Sequence, residues 1–357
     1  MRMISHWLAL ASALLATGSV AAPEPGPLAP LFGTGLGETR AALMIRDGHV
    51  VEKRYAPGYS DTTRFISWSM AKTVTALLVG ELVADGKLAL DAPAPIAEWH
   101  GANDPRRAIT LRMLLNMSSG LGHTEIGDPV EASDTNQVLF VSGTQAMARR
   151  AIGAKLEARP GAKFEYSSLT TIILAEIVTR TLTASQDPTV RARTYQAFAE
   201  RRLFAPAGIT SARLEFDSAG TQIGGSLIYM TLADYGRLGT VLLDGKAPDG
   251  TQIVTPDWLA FMKTPSPDNR EYGGQLWLNR PGAADPRPAL FPGHGPATLV
   301  SCLGHLGQFV IASTEQRLVL VRLGKTQDDT PAFTHLRTTL GQIVERVPSA
   351  DRVPPRR

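Results

Sequence analysis

The segment that most constrains this chain is a helical pattern at residues 69–84 that is apolar on nearly all sides. Its large apolar members are Val74, Leu77, Leu78, Val79, Leu82 and Val83. Asp85-Gly86 follows and ends the pattern, because glycine readily adopts the left-handed conformation that closes a helix. A helix without a polar face has to be covered by protein all round, so we expect this one at the centre of the molecule.

Strand patterns lie near both ends of the chain. Residues 41–46 and 49–55 flank Asp47-Gly48, a favoured two-residue hairpin turn. Residues 299–303, 308–312 and 318–323 also resemble strands, and residues 333–347 form an amphipathic helical pattern. Between them the chain is mostly helical, with helix starts predicted at Thr110, Ser168, Thr231 and Thr255. One antiparallel sheet assembled from both termini is therefore predicted.

The expected fold class is α/β, with an antiparallel sheet flanked by helices and a mostly helical second lobe. The chain has 357 residues, of which 43% are hydrophobic and 19% charged, enough for a sizeable core. We assign residues 22–37 to a lead-in segment, 38–68 and 288–348 to the α/β lobe, 69–287 to the helical lobe and 349–357 to a flexible tail. The functional site is expected between the lobes.

The first residues have the pattern of an export signal. Arg2 precedes an apolar run at residues 7–16, and Ser19-Val20-Ala21 offers small residues for cleavage. We interpret residues 1–21 as a signal peptide; the alternative is a buried first helix. On the first interpretation the mature protein is periplasmic or secreted and keeps no stable membrane span, because the apolar run is too short to cross a bilayer.

Charge and cysteine content exclude several classes of function. The formal net charge is +3 and there is no basic block, so nucleic acid is not an expected partner. Cys302 is the only cysteine, which excludes an internal disulfide and a paired-cysteine metal site. No metal or other cofactor is expected, and the pattern leaves the oligomeric state open.

The chemistry is predicted from Ser69 and Lys72, at the start of the apolar helix. Positions i and i+3 share one helical face, so the hydroxyl and the amine can meet. A serine needs a base to act as a nucleophile, and a lysine in a dry site can lose its proton and serve as one. The alternative is a helix cap followed by a surface lysine. The apolar surroundings disfavour that alternative, because a lysine there is hard to solvate.

The Ser-x-x-Lys helix, followed by Tyr-Ser-Ser at 166–168 and His-Leu-Gly at 305–307, resembles the three motifs of penicillin-recognising serine enzymes. The resemblance covers residues 38–347 and suits the class C β-lactamase-like branch, which includes esterases, D-amino-acid peptidases and 6-aminohexanoate-dimer hydrolases. It is closest to the 6-aminohexanoate-dimer hydrolase and esterase branch. Residues 66–72, 114–120 and 304–308 support it. It implies a β-lactamase/transpeptidase-like sandwich and hydrolysis through an acyl-serine intermediate.

The resemblance implies further roles for two residues in the second motif. Tyr166 would relay protons between Ser69, Lys72 and the leaving group, since a tyrosine beside a lysine cation can share its proton. Ser168 would hold Lys72 or the substrate amide by a hydrogen bond. The alternatives are an aromatic residue that only packs at a loop-to-helix junction, and a serine that only caps the next helix.

The third motif departs from the family pattern at His305. β-Lactamases and peptidases of this family carry a lysine there that binds the substrate carboxylate, and a mostly neutral imidazole does this poorly. Gly307 would let the strand approach the substrate, and the backbone N–H groups of Gln308 and Ser69 would form the oxyanion hole. A histidine that only completes the strand is the alternative for His305. The other histidines considered, His100, His123 and His294, lack ligand spacing and are interpreted as loop residues.

The expected function is hydrolysis of small-molecule esters or amides by a 6-aminohexanoate-dimer-hydrolase-like enzyme or an esterase. One alternative is a β-lactamase or D-amino-acid peptidase. A second, from another class, is a non-catalytic sensor that is acylated once, because no glutamate stands out in the sequence as a deacylating base. The acyl and leaving groups are not specified by these motifs.

Overall fold

The computed structural model describes residues 26–141, 143–282 and 289–350. The predicted signal peptide, residues 1–21, and residues 351–357 of the predicted tail lie outside this part. The strands are β1 Glu38–Arg46, β2 His49–Tyr55, β3 Arg64–Ile66, β4 Arg213–Leu214, β5 Ile228–Thr231, β6 Trp277–Leu278, β7 Val300–Gly304, β8 Gln308–Ser313 and β9 Leu318–Lys325. The α-helices are α1 Ala71–Ala84, α2 Leu111–Leu115, α3 Asp134–Phe140, α4 Met147–Ile152, α5 Ser168–Leu182, α6 Pro188–Ala199, α7 Leu232–Asp244, α8 Pro256–Met262 and α9 Pro331–Glu345.

The main sheet joins the two ends of the chain, as predicted. Its strand order is β2-β1-β9-β8-β7-β6, and each neighbouring pair is antiparallel. Asp47 and Gly48, with φ of 51° and 79°, adopt the left-handed conformations that a tight hairpin turn between β1 and β2 needs. The edge strand β6 comes from the segment expected to form the helical lobe, and the division into lobes stays a prediction.

Helices cover both faces of the main sheet. On one face α7 packs against β1 and β9, and its Gly236 and Gly239 lie close to side chains of Leu43 and Val319. Leu336 of α9 belongs to a separate apolar cluster with residues of β1, β8 and β9 on the other face. The α/β sandwich is therefore confirmed. No helix within the described ranges is long and apolar enough to cross a membrane.

The apolar helix lies at the centre of the molecule. From Ala71 to Leu82 every residue of α1 is buried, and α1 packs against α5. The α-helix begins two residues later than predicted, since residues 68–70 form a 3-10 turn. Ser69 therefore lies in this turn, one helical turn before Lys72.

Threonine side chains cap three helices as predicted. Thr110, Thr231 and Thr255 each accept a backbone N–H from the first turn of α2, α7 and α8. The prediction of Ser168 as a cap was wrong. Ser167 caps α5 by accepting from Thr170 N at 3.2 Å, which leaves the hydroxyl of Ser168 for other contacts.

Candidate active site

The structure brings the predicted nucleophile and base together. Lys72 Nζ lies 3.0 Å from Ser69 Oγ, within hydrogen-bond distance. The turn that carries Ser69 is fixed on one side by Ser67, whose N–H donates to Ile228 O of β5 at 2.8 Å. Trp68 has a left-handed φ of 45°, a costly conformation for a non-glycine residue and one that is often found beside functional groups.

Lys72 lies in an almost fully enclosed site. Its side chain is 2% exposed, and Nζ also donates to Ser168 Oγ and to Gly225 O, both at 2.8 Å. Burial lowers the pKa of Lys72 to about 8, although the negative charge of Glu125 acts in the opposite direction. A lysine in this environment can give up its proton near neutral pH, as a general base requires.

Tyr166 covers the same amine. Lys72 Nζ lies 4.8 Å from the centre of the Tyr166 ring, and the ring packs edge-on to Tyr272 with centroids 5.8 Å apart. Burial raises the pKa of the Tyr166 phenol far above its usual value, the charge of Glu125 raises it further, and a hydrogen bond with Ser69 lowers it in part. Tyr166 is thus a neutral phenol, and its proton is harder to share than the sequence alone indicated.

Glu125 is a site residue that the sequence reasoning missed. It lies in the loop before α3, and its carboxylate accepts from Ser168 Oγ at 2.7 Å, Ser168 N at 2.6 Å and Thr135 Oγ1 at 2.7 Å. The loop around it shows no motif from which this role could be found. Gly225 was missed as well, although the pair Gly224-Gly225 before β5 is a signal for close backbone approach.

The structure places His305 at the mouth of the site. Its Nδ1 pairs with the carboxylate of Asp328, and its ring stands edge-on to the indole of Trp68. About half of the His305 side chain is exposed. The residues of the His-Leu-Gly motif form the turn between β7 and β8, so the prediction of a strand at these three positions was wrong.

The turn also changes the expected positions of Gly307 and Gln308. A Cβ added at Gly307 would lie 2.9 Å from Arg322 Nη1, so this glycine faces the interior behind the turn and its predicted approach to substrate was wrong. The Gln308 side chain is buried and donates to Gly324 O at 2.7 Å and His305 O at 3.1 Å. Among the described residues, neither Gly307 nor Gln308 lines the cavity at Ser69.

Gly304 has the close approach that was expected of Gly307. A Cβ at Gly304 would lie only 2.4 Å from the carbonyl oxygen of Ser67, so the end of β7 lies directly against the turn that carries Ser69. Both Gly304 and His305 line the cavity. Only a residue without a side chain allows this contact.

The open cavity at Ser69 has a volume of about 650 Å³. Its apolar lining includes Trp68, Ile126, Val130, Leu139 and Phe140. Three carboxylates, Glu125, Asp328 and Asp329, also line it, and its described lining contains no lysine or arginine. A ligand with an apolar body and without a carboxylate fits such a lining best.

The three histidines interpreted as loop residues do not line the cavity at Ser69. His123 is buried, with Nε2 3.0 Å from Ala151 O and Nδ1 3.1 Å from Ser167 Oγ. His100 contacts a backbone carbonyl, and His294 pairs with Glu345. In the part of the chain that the structure describes, no group of three His, Cys, Asp or Glu side chains is arranged to hold a metal ion.

Comparisons with known proteins agree with this architecture. The model of the Beta-lactamase family matches residues 37–345. Esterase EstB of Burkholderia gladioli is 31% identical over 175 residues, which are 42% of this chain and 43% of EstB. The 6-aminohexanoate-dimer hydrolase of Paenarthrobacter ureafaciens is 24% identical over 232 residues, 62% of this chain and 56% of the relative. The matched regions therefore span about half the length of these curated relatives.

A solved structure from Bacillus anthracis, provisionally named a 6-aminohexanoate-dimer hydrolase, superimposes with a TM-score of 0.68 at 20% sequence identity. The superposition covers 88% of this chain and 81% of that one. At this identity the likeness shows a shared fold. Since the family model matches residues 37–345, which is most of the sequence, the chain belongs to the Beta-lactamase family.

Proposed function

We propose that this protein is a serine hydrolase that cleaves esters or amides of small, apolar, uncharged substrates through an acyl-Ser69 intermediate. The observation that carries the proposal is the 3.0 Å contact between Ser69 Oγ and the buried Lys72 Nζ. Burial favours the neutral amine, and the neutral amine has the lone pair that a base needs. No metal or cofactor enters this proposal.

Acylation then proceeds with Lys72 as the base. Lys72 Nζ takes the Ser69 proton as Oγ bonds to the substrate carbonyl carbon, and the carbonyl π electrons move to oxygen. Tyr166 donates its phenolic proton to the leaving group as the bond to the carbonyl carbon breaks, and recovers a proton from Lys72. In deacylation, water attacks the acyl carbonyl carbon and the same groups transfer the protons in the reverse direction. Ser69 Oγ leaves and regains its proton, and the acid is released.

The oxyanion needs two N–H donors near Ser69. One is the backbone N–H of Ser69 itself. For the second, the cavity lining favours the N–H of His305, which follows Gly304, over that of Gln308. Gly304 supports this choice, because its contact with Ser67 brings the end of β7 against the nucleophile turn.

The substrate class follows from the charges around the cavity. A penicillin or cephalosporin brings a carboxylate, and the cavity would place it near Glu125, Asp328 and Asp329 without a lysine or arginine among the described lining residues. The negative charges would repel that carboxylate. Esters and neutral linear amides carry no such group and avoid the repulsion. Similarity to an esterase and to a 6-aminohexanoate-dimer hydrolase supports the same preference.

The purified protein tests this proposal with three substrates: a p-nitrophenyl ester, a 6-aminohexanoate dimer and a chromogenic cephalosporin. We expect steady turnover of the ester or the dimer and much slower turnover of the cephalosporin. Steady turnover of the cephalosporin alone would support the β-lactamase alternative. A burst of one equivalent with no steady rate on any substrate would support the acylated sensor.

Labelling with a fluorophosphonate, followed by peptide mass mapping, tests the site assignment. The adduct should lie on Ser69 and not on Ser67, Ser118 or Ser168. Ser69→Ala should remove both label and turnover, and Lys72→Ala should be nearly as damaging, because nucleophile and base act as one unit. An adduct on another serine, or turnover retained by Ser69→Ala, would contradict the assignment.

We also propose that the protein acts outside the cytoplasm. Support comes from the charged start, short apolar run and small residues at positions 1–21. Expression of the complete sequence in a bacterium, followed by fractionation and mass measurement of the mature N-terminus, tests it. Cleavage near Ala21 is expected, and an uncleaved cytoplasmic protein would contradict export.

A further inference from the structure

Glu125 contacts Ser168 at two points. Its Oε1 accepts from the Ser168 hydroxyl at 2.7 Å, and its Oε2 accepts from the Ser168 N–H at 2.6 Å and from Thr135 Oγ1 at 2.7 Å. An ionised carboxylate can only accept hydrogen bonds. The hydroxyl proton of Ser168 is therefore directed at Glu125, and toward Lys72 the Ser168 oxygen presents only lone pairs.

This arrangement limits how Lys72 can bond. Around Nζ lie Gly225 O at 2.8 Å, Ser168 Oγ at 2.8 Å and Ser69 Oγ at 3.0 Å. The Gly225 carbonyl can only accept, and Ser168 has already committed its proton to Glu125. A neutral amine has two N–H groups and one lone pair, so the two N–H groups go to Gly225 and Ser168. The lone pair then faces the third neighbour, the hydroxyl of Ser69.

We propose that Glu125 is a positioning residue that acts through Ser168: by holding the Ser168 proton, it directs the lone pair of Lys72 at the nucleophile. The inference rests on the proposed function, since it presumes that Lys72 is the base for Ser69. Toward Lys72, Ser168 is thereby an obligate acceptor, a role beyond capping a helix or binding a substrate amide.

Glu125 also affects the charge of the base. Within the described ranges, two titratable groups face Lys72, namely Tyr166, whose ring covers the amine, and Glu125, which acts across Ser168. The negative charge of Glu125 raises the pKa of Lys72 against the larger lowering by burial. Loss of that charge alone should therefore make Lys72 easier to deprotonate. If the reaction at Ser69 slows although Lys72 is easier to deprotonate, the lone pair of Lys72 no longer points at Ser69.

The variant Glu125→Gln separates these two effects. Its amide oxygen can accept from Ser168 N and Thr135, and its NH₂ group then donates to Ser168 Oγ. The Ser168 proton turns toward Lys72 and competes with Ser69 for the lone pair. We measure the rate of Ser69 labelling by a fluorophosphonate between pH 5.5 and 10, which needs no knowledge of the natural substrate.

For Glu125→Gln we expect a plateau labelling rate about 10- to 100-fold lower, a partial loss of the roughly 100- to 10,000-fold that general-base catalysis contributes. The midpoint of the pH profile should move below that of the unmodified protein. Glu131→Gln, from the same segment but outside the cavity lining, is the matched charge control and should label as the unmodified protein does. Labelling of Glu125→Gln at the unmodified rate with an unmoved midpoint would overturn the proposal.

A double-mutant cycle tests the path through Ser168. If Glu125 acts through Ser168, Glu125→Gln should change the labelling rate less than about twofold when Ser168 is already alanine. An equal loss in both backgrounds would contradict the inference. If the unmodified protein itself is not labelled at Ser69, the proposed function is wrong. If the unmodified protein is labelled but Glu125→Gln has no effect, only the inference about Glu125 is wrong.

The variant Glu125→Asp keeps the test decisive if Glu125→Gln does not fold. The aspartate keeps the negative charge, but its side chain is one methylene shorter. It should therefore not reach both the N–H and the hydroxyl of Ser168. We expect a lower plateau than in the unmodified protein, with no downward shift of the midpoint. A full labelling rate in a folded Glu125→Asp protein would show that the Ser168 contact is not needed.

Discussion

The indole of Trp68 stands edge-on to the imidazole of His305, with the ring centroids 5.3 Å apart and the planes at 86°. The residue immediately before Ser69 therefore contacts His305, and both residues line the same cavity. On its far side, His305 pairs with Asp328. The imidazole is held between an aromatic ring and a carboxylate, and any replacement at this position meets both.

The first prediction concerns substrate charge at His305. A lysine placed there by His305→Lys would pair with Asp328, so it should improve kcat/KM for carboxylate-bearing substrates by less than about threefold. His305→Lys combined with Asp328→Asn frees the new ammonium and should improve it by up to about tenfold. The ratio of kcat/KM for a cephalosporin and a neutral ester is the measurement. If both variants improve kcat/KM for the carboxylate-bearing substrate equally, Asp328 does not neutralise the ammonium group introduced at position 305.

The second prediction is a rise of activity with pH. Burial lowers the pKa of Lys72 to about 8, and only its neutral form can accept the Ser69 proton. Below this pKa, kcat/KM should fall about tenfold per pH unit, and above it the value should level off. A pH profile on a neutral ester, whose own charge does not change, provides the measurement. A profile that is flat between pH 6 and 9 would argue against Lys72 as the base.

The third prediction concerns the close contact at the end of β7. In Gly304→Ala the new methyl would lie 2.4 Å from Ser67 O, a backbone atom, so the strand has to move away from the nucleophile turn. We expect a loss of about 10- to 100-fold in kcat with a folded protein, because small displacements of positioned groups are costly. The matched control is Gly101→Ala, whose nearest neighbour is 3.8 Å away. Comparable losses in both variants would refute the specific role of Gly304.

The fourth prediction is about stability and Arg322. This fully buried guanidinium donates to Gly307 O at 2.7 Å, Glu38 O at 2.9 Å and Thr326 Oγ1 at 2.7 Å. Arg322→Met leaves those acceptors buried without donors, and the free energy of unfolding should fall by about 2–4 kcal/mol. Urea denaturation measures it.

The control for this prediction is Arg317→Met. Arg317 pairs with Asp244 at the surface, its side chain is 40% exposed, and its loss should cost less than about 1 kcal/mol. A similar cost for both variants would mean that the buried hydrogen bonds of Arg322 contribute little.

The sequence was sufficient to predict the sheet, the central helix and the pair Ser69–Lys72, because each depends on local periodicity or on spacing within one turn. It could not predict Glu125, whose contact with Ser168 joins positions 43 apart along the chain. That contact depends on how the loop before α3 folds over α5. The loop has no pattern of its own.

The third motif shows a different limit. Gly304 and Gly307 are three residues apart, and both are compatible with a close backbone approach. Which one faces Ser69 depends on where β7 ends and the turn begins, and strand ends are poorly defined by periodicity. The prediction therefore found the correct hairpin and assigned the wrong glycine to the substrate side.

The pairing of β1 with β9 has a consequence for the order of folding. Across this pairing, Arg322 Nε donates to Thr39 Oγ1, although the two residues are separated by 283 positions. Contacts of such long range form slowly. During synthesis, the edge of β1 that pairs with β9 stays unpaired until nearly the whole chain has been made. Gly225, which contacts Lys72, and Gly304, which lies against Ser67, also come from later parts of the chain. On a nascent chain, Ser69 and Lys72 therefore lack several of the neighbours that surround them in the folded protein until residues as far along as β9 have been made.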